Sequence, residues 1–373
     1  MVSKSIEAMQ GLSFSQFGLP LKWIGLTTFC GDSASPAQAN DVSICRHYGV
    51  RMKNIMRQHL LSFAALALSA CSLDNQPPEL TPSCPVSLFI LGVAQDAGKP
   101  QIGNPDDPAW ADASLRRLST SIALIDRRGD TPKRWLFEAT PDIKEQLHRL
   151  NAAAPAERTL DLGGVFLTHA HMGHYAGLMM FGHEAAGAQN IQVFAMPRMN
   201  DYLTANGPWD QLLRKHNIFI AIMHDGEAEQ LAGDIAVTPF LVPHRQEYSE
   251  VAGFRIEGPE KSAIFIPDID SWEDWDAEGT RIEDKIAEAD IALLDATFFA
   301  NGEIPGRDMS GFPHPLVSHS MDRFEDLPVA EKKKVWFIHM NHTNPLLNPN
   351  APERAQVQKA GFNIAEEGDK ICL

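Results

Sequence analysis

The sequence predicts an α/β chain of the α+β kind, with two β-sheets lying face to face between outer helices and ligand-type polar loops gathered at one edge. Three observations point there. Short apolar runs bounded by turn residues recur along the chain; helical patterns fall between several of them; and the strand-like runs outnumber the helical ones and cluster early in each half.

The strand-like runs are Val86 to Gly92, Ser119 to Asp126, Trp135 to Glu138, Val165 to Thr168, Ile191 to Ala195, Ile235 to Val242, Ser262 to Ile266, Ile291 to Leu294 and Val335 to Ile338. Helical patterns run from Ile143 to Leu150, Trp209 to His216, Ile282 to Ala289 and Glu353 to Ala360. No internal repeat or coiled coil stands out. The segment from Ile191 to Ile222 carries Met196, Met199, Tyr202, Trp209 and Phe219, and reads either as an insertion capping a cleft or as ordinary core.

The chain has 373 residues and 44% hydrophobic content, enough for one large or two ordinary domains. Residues 1–51 show no strong periodicity and are read as a non-structural N-terminal extension. Residues 52–70 read as a lipoprotein signal peptide. Met52-Lys53-Asn54-Ile55-Met56-Arg57 is a basic start, and Leu60 to Leu68 is an apolar run well short of the roughly 20 residues that span a bilayer. Ser69 and Ala70 then put small residues before Cys71. The other reading of that stretch is a short core helix. On the first, Cys71 is the lipid-modified first residue of the mature chain, and residues 71–84 are a Pro-rich tether. The domain proper is then 85–373. The expected location is the periplasmic face of a bacterial membrane, with Ser72 after the cysteine favouring an outer membrane.

Residues 1–70 hold six basic and three acidic side chains, so their removal takes the formal charge from −16 to −19. A chain this acidic is a poor match for polynucleotides, whose binding relies on displacing counterions with a basic surface. The expected partner is a small-molecule substrate, together with a membrane through the Cys71 anchor. Oligomeric state is not legible. Of the five cysteines, Cys30 and Cys45 fall in the extension and Cys71 is the anchor. Cys84, just before the first strand, and Cys372, in the last, remain, and either pair with one another or sit as two independent small apolar groups.

The most informative stretch is Gly164-Val165-Phe166-Leu167-Thr168 followed by His169-Ala170-His171-Met172-Gly173-His174. A buried strand ending in a loop with three imidazoles at i, i+2 and i+5 can aim several nitrogen donors at one point, as borderline-soft cations such as zinc require. Single ligand-type residues recur at later strand ends: His244 after Leu241-Val242-Pro243, Asp268 after Ala263 to Pro267, and His339 after Val335 to Ile338. Asp270 rivals Asp268, which lies nearer its strand.

This pattern resembles the His-x-His-x-Asp-His signature of the metallo-β-lactamase fold, with Gly173 where that family usually carries aspartate. The resemblance implies the four-layer αββα sandwich of that fold. It also implies a first metal site of His169, His171 and His244, and a second of His174, Asp268 and His339, with Asp268 bridging. The segments Leu91 to Gln101, Ala139 to Ile143, Leu294 to Phe298, Arg307 to Met309 and Phe337 to Pro345 look like pyrroloquinoline quinone biosynthesis protein B and its relatives, over about Val86 to the C-terminus. A cysteine cluster in that branch soon after the first loop has no counterpart in Ile102-Gly103-Asn104.

The resemblance implies a metal-dependent hydrolase, and the Cys71 reading would tether it to a membrane. A metal-activated water would attack a small ester, phosphodiester or amide-like substrate with one or two zinc ions, iron or manganese being the alternatives. His314 is the first choice for the acid that protonates the leaving group and His319 the second, while Asp268 takes part through the bridged ions. His342 and Asn344 flank His339 and are expected to orient it. Asp142 and Asp295 lie near the cleft in the resembling family, with a structural role equally open. Without aspartate at 173, the second ion is expected to bind weakly, to be iron or manganese, or to be missing. The competing readings are an iron-dependent oxygenase-type enzyme, and a lipoprotein that only binds a ligand on a degenerate metal fold.

Overall fold

The computed structural model describes residues 84–373. The readings of residues 1–51, the signal peptide 52–70, the anchor Cys71 and the tether up to residue 83 lie outside the described residues, as do Cys30 and Cys45.

Strands β1 (Val86–Gly92), β2 (Ser121–Asp126), β3 (Lys133–Phe137), β4 (Gly164–Phe166), β5 (Ile191–Ala195) and β6 (Ile218–Ile222) come first. They are followed by β7 (Glu229–Ala232), β8 (Ile235–Leu241), β9 (Ala252–Glu257), β10 (Ser262–Ile266), β11 (Ile291–Asp295), β12 (Val335–Ile338), β13 (Asn363–Ile364) and β14 (Lys370–Cys372). The helices are α1 (Ile143–Ala153), α2 (Met172–Tyr175), α3 (Pro197–Ala205), α4 (Trp209–Arg214), α5 (Trp272–Ala277), α6 (Ile282–Glu288), α7 (Val317–Arg323), α8 (Val329–Lys332) and α9 (Pro352–Lys359).

Two seven-stranded sheets form, in the orders β14-β1-β2-β3-β4-β5-β6 and β13-β12-β11-β10-β9-β8-β7. Two antiparallel steps restore strand direction, so β1 points the same way as β3 and its parallel neighbour β4. By the same logic β8 points the same way as β10, which runs parallel to β11, itself parallel to β12. The carboxyl ends of β1, β4, β8, β10, β11 and β12 are therefore where loops able to share one site emerge, as open α/β sheets generally place their ligands.

Alternation along the strands builds the layers. On β2, Ile122 and Leu124 enter the core shared with the second sheet, whereas Ala123 and Ile125 face the outer core formed with α1, α3 and α4. Between the sheets Phe166 stacks on Phe137 and Phe194, with ring centroids 4.8 and 4.2 Å apart. Phe254 meets Phe166 edge-on from the opposing sheet at 5.7 Å, a favoured aromatic geometry. Helix α1 buries Ile143, Gln146, Leu147 and Leu150, one face at helical spacing. Trp272, Ile282, Ile286, Val317 and Val357 of α5, α6, α7 and α9 join the core of the second sheet. The result is the four-layer αββα sandwich the sequence led us to expect.

Strands β6, β7, β9 and β13 had no strand reading. β6 and β7 are edge strands, β6 with Phe219 and Ile222 exposed and β7 with Leu231 and Ala232 only part-buried, and β9 carries Gly253 because an added Cβ would lie 2.5 Å from the Phe240 ring. The segment from Ile191 to Ile222 is no inserted cap. It supplies the last two strands of the first sheet and the helices α3 and α4, which bury Met199, Leu203 and Leu212. Cys84 and Cys372 are joined in a disulfide with Cα atoms 5.4 Å apart, tying β14 to the start of β1. Among the described residues, no helix is long and apolar enough to cross a membrane.

Candidate metal centre

The loop after β4 carries His169 and His171, and α2, which begins within it, carries His174. His169 Nε2 and His244 Nε2 lie 2.9 and 3.2 Å from His171 Nδ1, so three imidazole nitrogens face one small volume. Two ligands of a tetrahedral zinc, each about 2.0–2.1 Å from the ion, would lie ~3.3 Å apart, close to this spacing. Thr168 Oγ1 sits 2.9 Å from His169 Nδ1, and Asp270 Oδ1 sits 2.7 Å from His244 Nδ1. The Thr168 hydrogen bond aims the other nitrogen of His169 inward, while the Asp270 carboxylate stands behind His244 as a close charge without hydrogen-bond geometry. His171 Nε2 similarly meets Glu247 Oε2 at 3.0 Å.

Asp268, after β10, stands between this group and a second one. Its Oδ2 lies 3.6 Å from His169 Nε2, 2.9 Å from His174 Nε2 and 3.5 Å from His339 Nε2. Asp270, the rival carboxylate, is turned instead to the far side of His244. His174 Nε2 and His339 Nε2 are buried and make no hydrogen bond, although an acceptor is near. Both nitrogens and the Asp268 oxygen are crowded together without hydrogen-bond geometry between them. Unpaired buried polar atoms are expensive, and a cation among the three would satisfy them, so the residues present fit a metal.

Two residues here were not singled out by sequence. Glu138, fully buried after β3, places Oε1 3.4 Å from His174 Nδ1. Asp96, on the loop after β1, places Oδ1 3.5 Å from His174 Nε2 and groups with His174 and His339. The available signal was weak, a single acid just past a strand, as with Asp268. Asp96, Glu138 and His339 all have positive φ, at 36°, 73° and 67°, an uncommon backbone state for residues other than glycine.

Electrostatics follow from burial and charge. Burial holds His169, His171 and His339 below the ordinary histidine value, leaving neutral imidazoles suited to ligation. Burial would also depress His174, but Glu138 and Asp268 beside it hold it well above the usual value. Burial alone would raise Asp268, which His339 and His174 pull well below the carboxylate range. Burial keeps Glu138 high. A proton on His174 and a metal ion would compete for the same Nε2.

His314 is buried beside the cluster, with Nδ1 2.8 Å from Asp295 Oδ2 and 3.5 Å from Asp268 Oδ1. Burial would lower its pKa, but Asp295 and Asp268 lift it above the ordinary value. Asp295 also accepts from the Thr297 amide at 2.8 Å and the Ile269 amide at 3.1 Å, which joins the loops after β10 and β11. His319 is not brought to the site. It lies on α7, 47% exposed, with Nε2 3.3 Å from Glu273. The expected orienting role of His342 and Asn344 is corrected too: Thr297 Oγ1 is the atom near His339 Nδ1, at 3.1 Å. Asn344 instead donates to the Ala296 and Thr297 carbonyls, and the His342 carbonyl accepts from Lys99. Asp142 lies away from the cluster, accepting from the Ser119 amide and hydroxyl at 2.8 and 3.0 Å.

An aromatic group borders this region. Tyr175 and Tyr202 share a 2.8 Å hydroxyl contact, and Tyr202 packs at 5.0 Å on Tyr248, exposed on the loop that carries His244 and Glu247.

Comparison with known proteins places this geometry. The family model described as beta-lactamase superfamily domain matches residues 133–340. Coenzyme PQQ synthesis protein B of Cupriavidus necator is 28% identical over 322 residues, 77% of this chain and 99% of that protein. The protein of the same name from Methylobacterium sp. is 26% identical over 318 residues, 76% of this chain and 99% of its own length. Among solved structures, Zn(2+)-bound PqqB from Methylobacterium extorquens superposes with a TM-score of 0.64 at 24% identity, covering 77% of this chain and all of that one. A diphosphatase of the PhnP family gives 0.54 at 23% identity, with 77% and 98% covered. These two structural likenesses show the shared fold.

Proposed function

The chain belongs to the beta-lactamase superfamily, and on that premise we propose that it is a metal-dependent hydrolase of small ester, phosphodiester or amide-like substrates. His169, His171 and His244 would hold one ion, His174 and His339 a second, with Asp268 between them. The observation that carries this reading is the meeting of His169 Nε2 and His244 Nε2 on His171 Nδ1 at 2.9 and 3.2 Å, a crowd of nitrogens that a cation relieves. Bound there, divalent ions would supply Lewis acidity and a water acidic enough to ionise near neutral pH.

The chain's own residues supply the rest. Asp270 and Thr168 orient His244 and His169 from behind, and Thr297 does the same for His339. His314, steadied through Nδ1 by Asp295, is the group placed to hold a proton for a departing oxygen or nitrogen.

The donor set is nitrogen and oxygen without thiolate, which suits iron as well as zinc, and the relatives are named for synthesis of a redox cofactor. An iron-dependent oxygenase-type enzyme is therefore the second reading. One experiment separates them. Metal-stripped full-length chain is reloaded with zinc, manganese or ferrous iron, then assayed on a panel of esters, phosphodiesters and lactams and for oxygen uptake. Hydrolysis that His169→Ala abolishes is expected. Retained metal with no hydrolysis across the panel sinks the proposal, and oxygen-dependent turnover with iron selects the alternative. Retained metal with neither activity leaves a ligand-binding protein on this fold.

The same proposal includes tethering through a lipid on Cys71, supported by the basic start, apolar run and small residues before it. Labelled fatty acid should enter the parent chain and not Cys71→Ser; equal labelling of both refutes the anchor.

A further inference from the structure

We propose that Asp96 supplies, from the loop after β1, the carboxylate that Gly173 withholds from the histidine signature, so that the second metal site keeps a full donor set. That set is Asp96 Oδ1, His174 Nε2, His339 Nε2 and the shared Asp268 Oδ2. The inference rests on the metal-centre reading above and adds to it a ligand from a different part of the chain.

The argument begins with space. A Cβ built on Gly173 would lie 2.2 Å from Asp96 Oδ1, 2.4 Å from Asp96 Cα and 2.9 Å from Asp96 Cβ. The Cα is backbone and cannot rotate away. Gly173 sits within α2 and is not among the residues with positive φ, so its conformation does not call for glycine. What excludes a side chain at 173 is the loop at Asp96, backbone and side chain together. With that loop in place, the carboxylate in this volume comes from residue 96.

The second strand of the argument is the unmet demand. His174 Nε2 and His339 Nε2 are buried in residues only 1% exposed and have no hydrogen-bond partner. Asp96 Oδ1 comes within 3.5 Å of the first, and one atom from each of Asp96, His174 and His339 falls within 4.8 Å of the others.

The loop is also built to hold that position. Met340 donates its amide to the Val93 carbonyl at 2.8 Å, and Gln95 donates its own to the Met340 carbonyl at 2.8 Å. Asn341 Nδ2 donates to Gln95 Oε1 at 2.6 Å, and Ser119 Oγ donates to the Asp96 carbonyl at 2.6 Å. The backbone that presents Asp96 is thus bonded to the residues directly after His339, and both ligands move as one unit. Asp96 accepts a φ of 36°, a left-handed state that aspartate tolerates better than most residues. A second ion held by two carboxylates and two imidazoles has a harder, more anionic shell than the first, which favours manganese or iron there over zinc.

Metal content and cobalt spectroscopy test this without reference to turnover. Metal-stripped full-length parent, Asp96→Ala, Asp96→Asn and Asp96→Gly are titrated with Co(II), and bound ions are counted by elemental analysis. Asp96→Gly removes the carboxylate while keeping the left-handed backbone of the loop. The parent should bind two ions. Asp96→Ala should keep one with unchanged affinity and weaken the other by at least about 100-fold, with loss of its share of the visible absorption. Asp96→Gly should lose the same ion, so that the loss follows the carboxylate and not a change in the loop backbone. Two ions of parental affinity in Asp96→Ala overturn the role of Asp96 and leave the centre standing. Fewer than two on the parent overturn the two-metal centre and the role of Asp96 with it.

Discussion

Asp270→Ala is the sharpest test of how the first site is aimed. Asp270 Oδ1 lies 2.7 Å from His244 Nδ1, on the side of the ring away from His171. A carboxylate there favours the tautomer with its proton on Nδ1 and leaves the Nε2 lone pair for a metal. Removing such a partner typically lowers metal affinity by about 10- to 100-fold, or about 1.4 to 2.7 kcal/mol. Asp270→Asn keeps an acceptor oxygen and should sit near the lower figure, and Asp270→Ala near the upper. The loop itself should survive, because the Asp270 amide bonds the Pro243 carbonyl at 2.8 Å and that bond is backbone. The side chain is 27% exposed, so truncation leaves no sealed cavity. The assay is zinc competition between metal-stripped protein and a chromophoric chelator, with a thermal melt of the metal-free chain as the fold control. A Kd for Asp270→Ala within twofold of the parent, with the melt unchanged, would refute the orienting role.

Three further outcomes follow from the packing. Phe166→Ala removes the middle ring of a stack whose neighbours lie 4.8 and 4.2 Å away, and should destabilise the domain by about 3–5 kcal/mol in urea unfolding; a loss under ~1 kcal/mol contradicts the stack's importance. Arg134 is fully buried and donates to the carbonyls of Ala154, Arg158, Thr159 and Asp161, so Arg134→Met should cost about 3 kcal/mol, read from the same urea curves, by orphaning those acceptors. The Cys84–Cys372 bridge spans 288 residues, and Cys84→Ser with Cys372→Ser should lose up to about 5 kcal/mol on the chain-entropy argument, measured by thermal unfolding with and without reductant. Equal melting temperatures under both conditions would show that β14 is held by its strand pairing alone.

The order of ligand-type residues along the chain was legible because each follows a strand whose apolar character is written locally. Val165 to Thr168, Ala263 to Ile266 and Val335 to Ile338 announce themselves as buried strands, and what stands just past them is a candidate donor. The edge strands were harder to see. β6 leaves Phe219 and Ile222 exposed, and edge burial does not impress a clean period on the sequence. The two histidines of 312–320 could not be ranked by composition. Only their surroundings separate them, His314 buried against Asp295 and His319 paired with Glu273 at the surface.

The same division runs through the whole protein. Local pattern determined the sandwich and the chain order His169, His171, His174, His244, Asp268, His339, because burial period and strand-end position are properties of short segments. Convergence is different, since it depends on which strand ends the two sheets bring level. Tertiary structure alone decided that Asp268 faces the histidines while Asp270 backs His244, and that Thr297 rather than His342 or Asn344 attends His339. It alone put Asp96 in the space that glycine at 173 leaves open, because no local rule relates a residue after the first strand to a gap in a helix far along the chain.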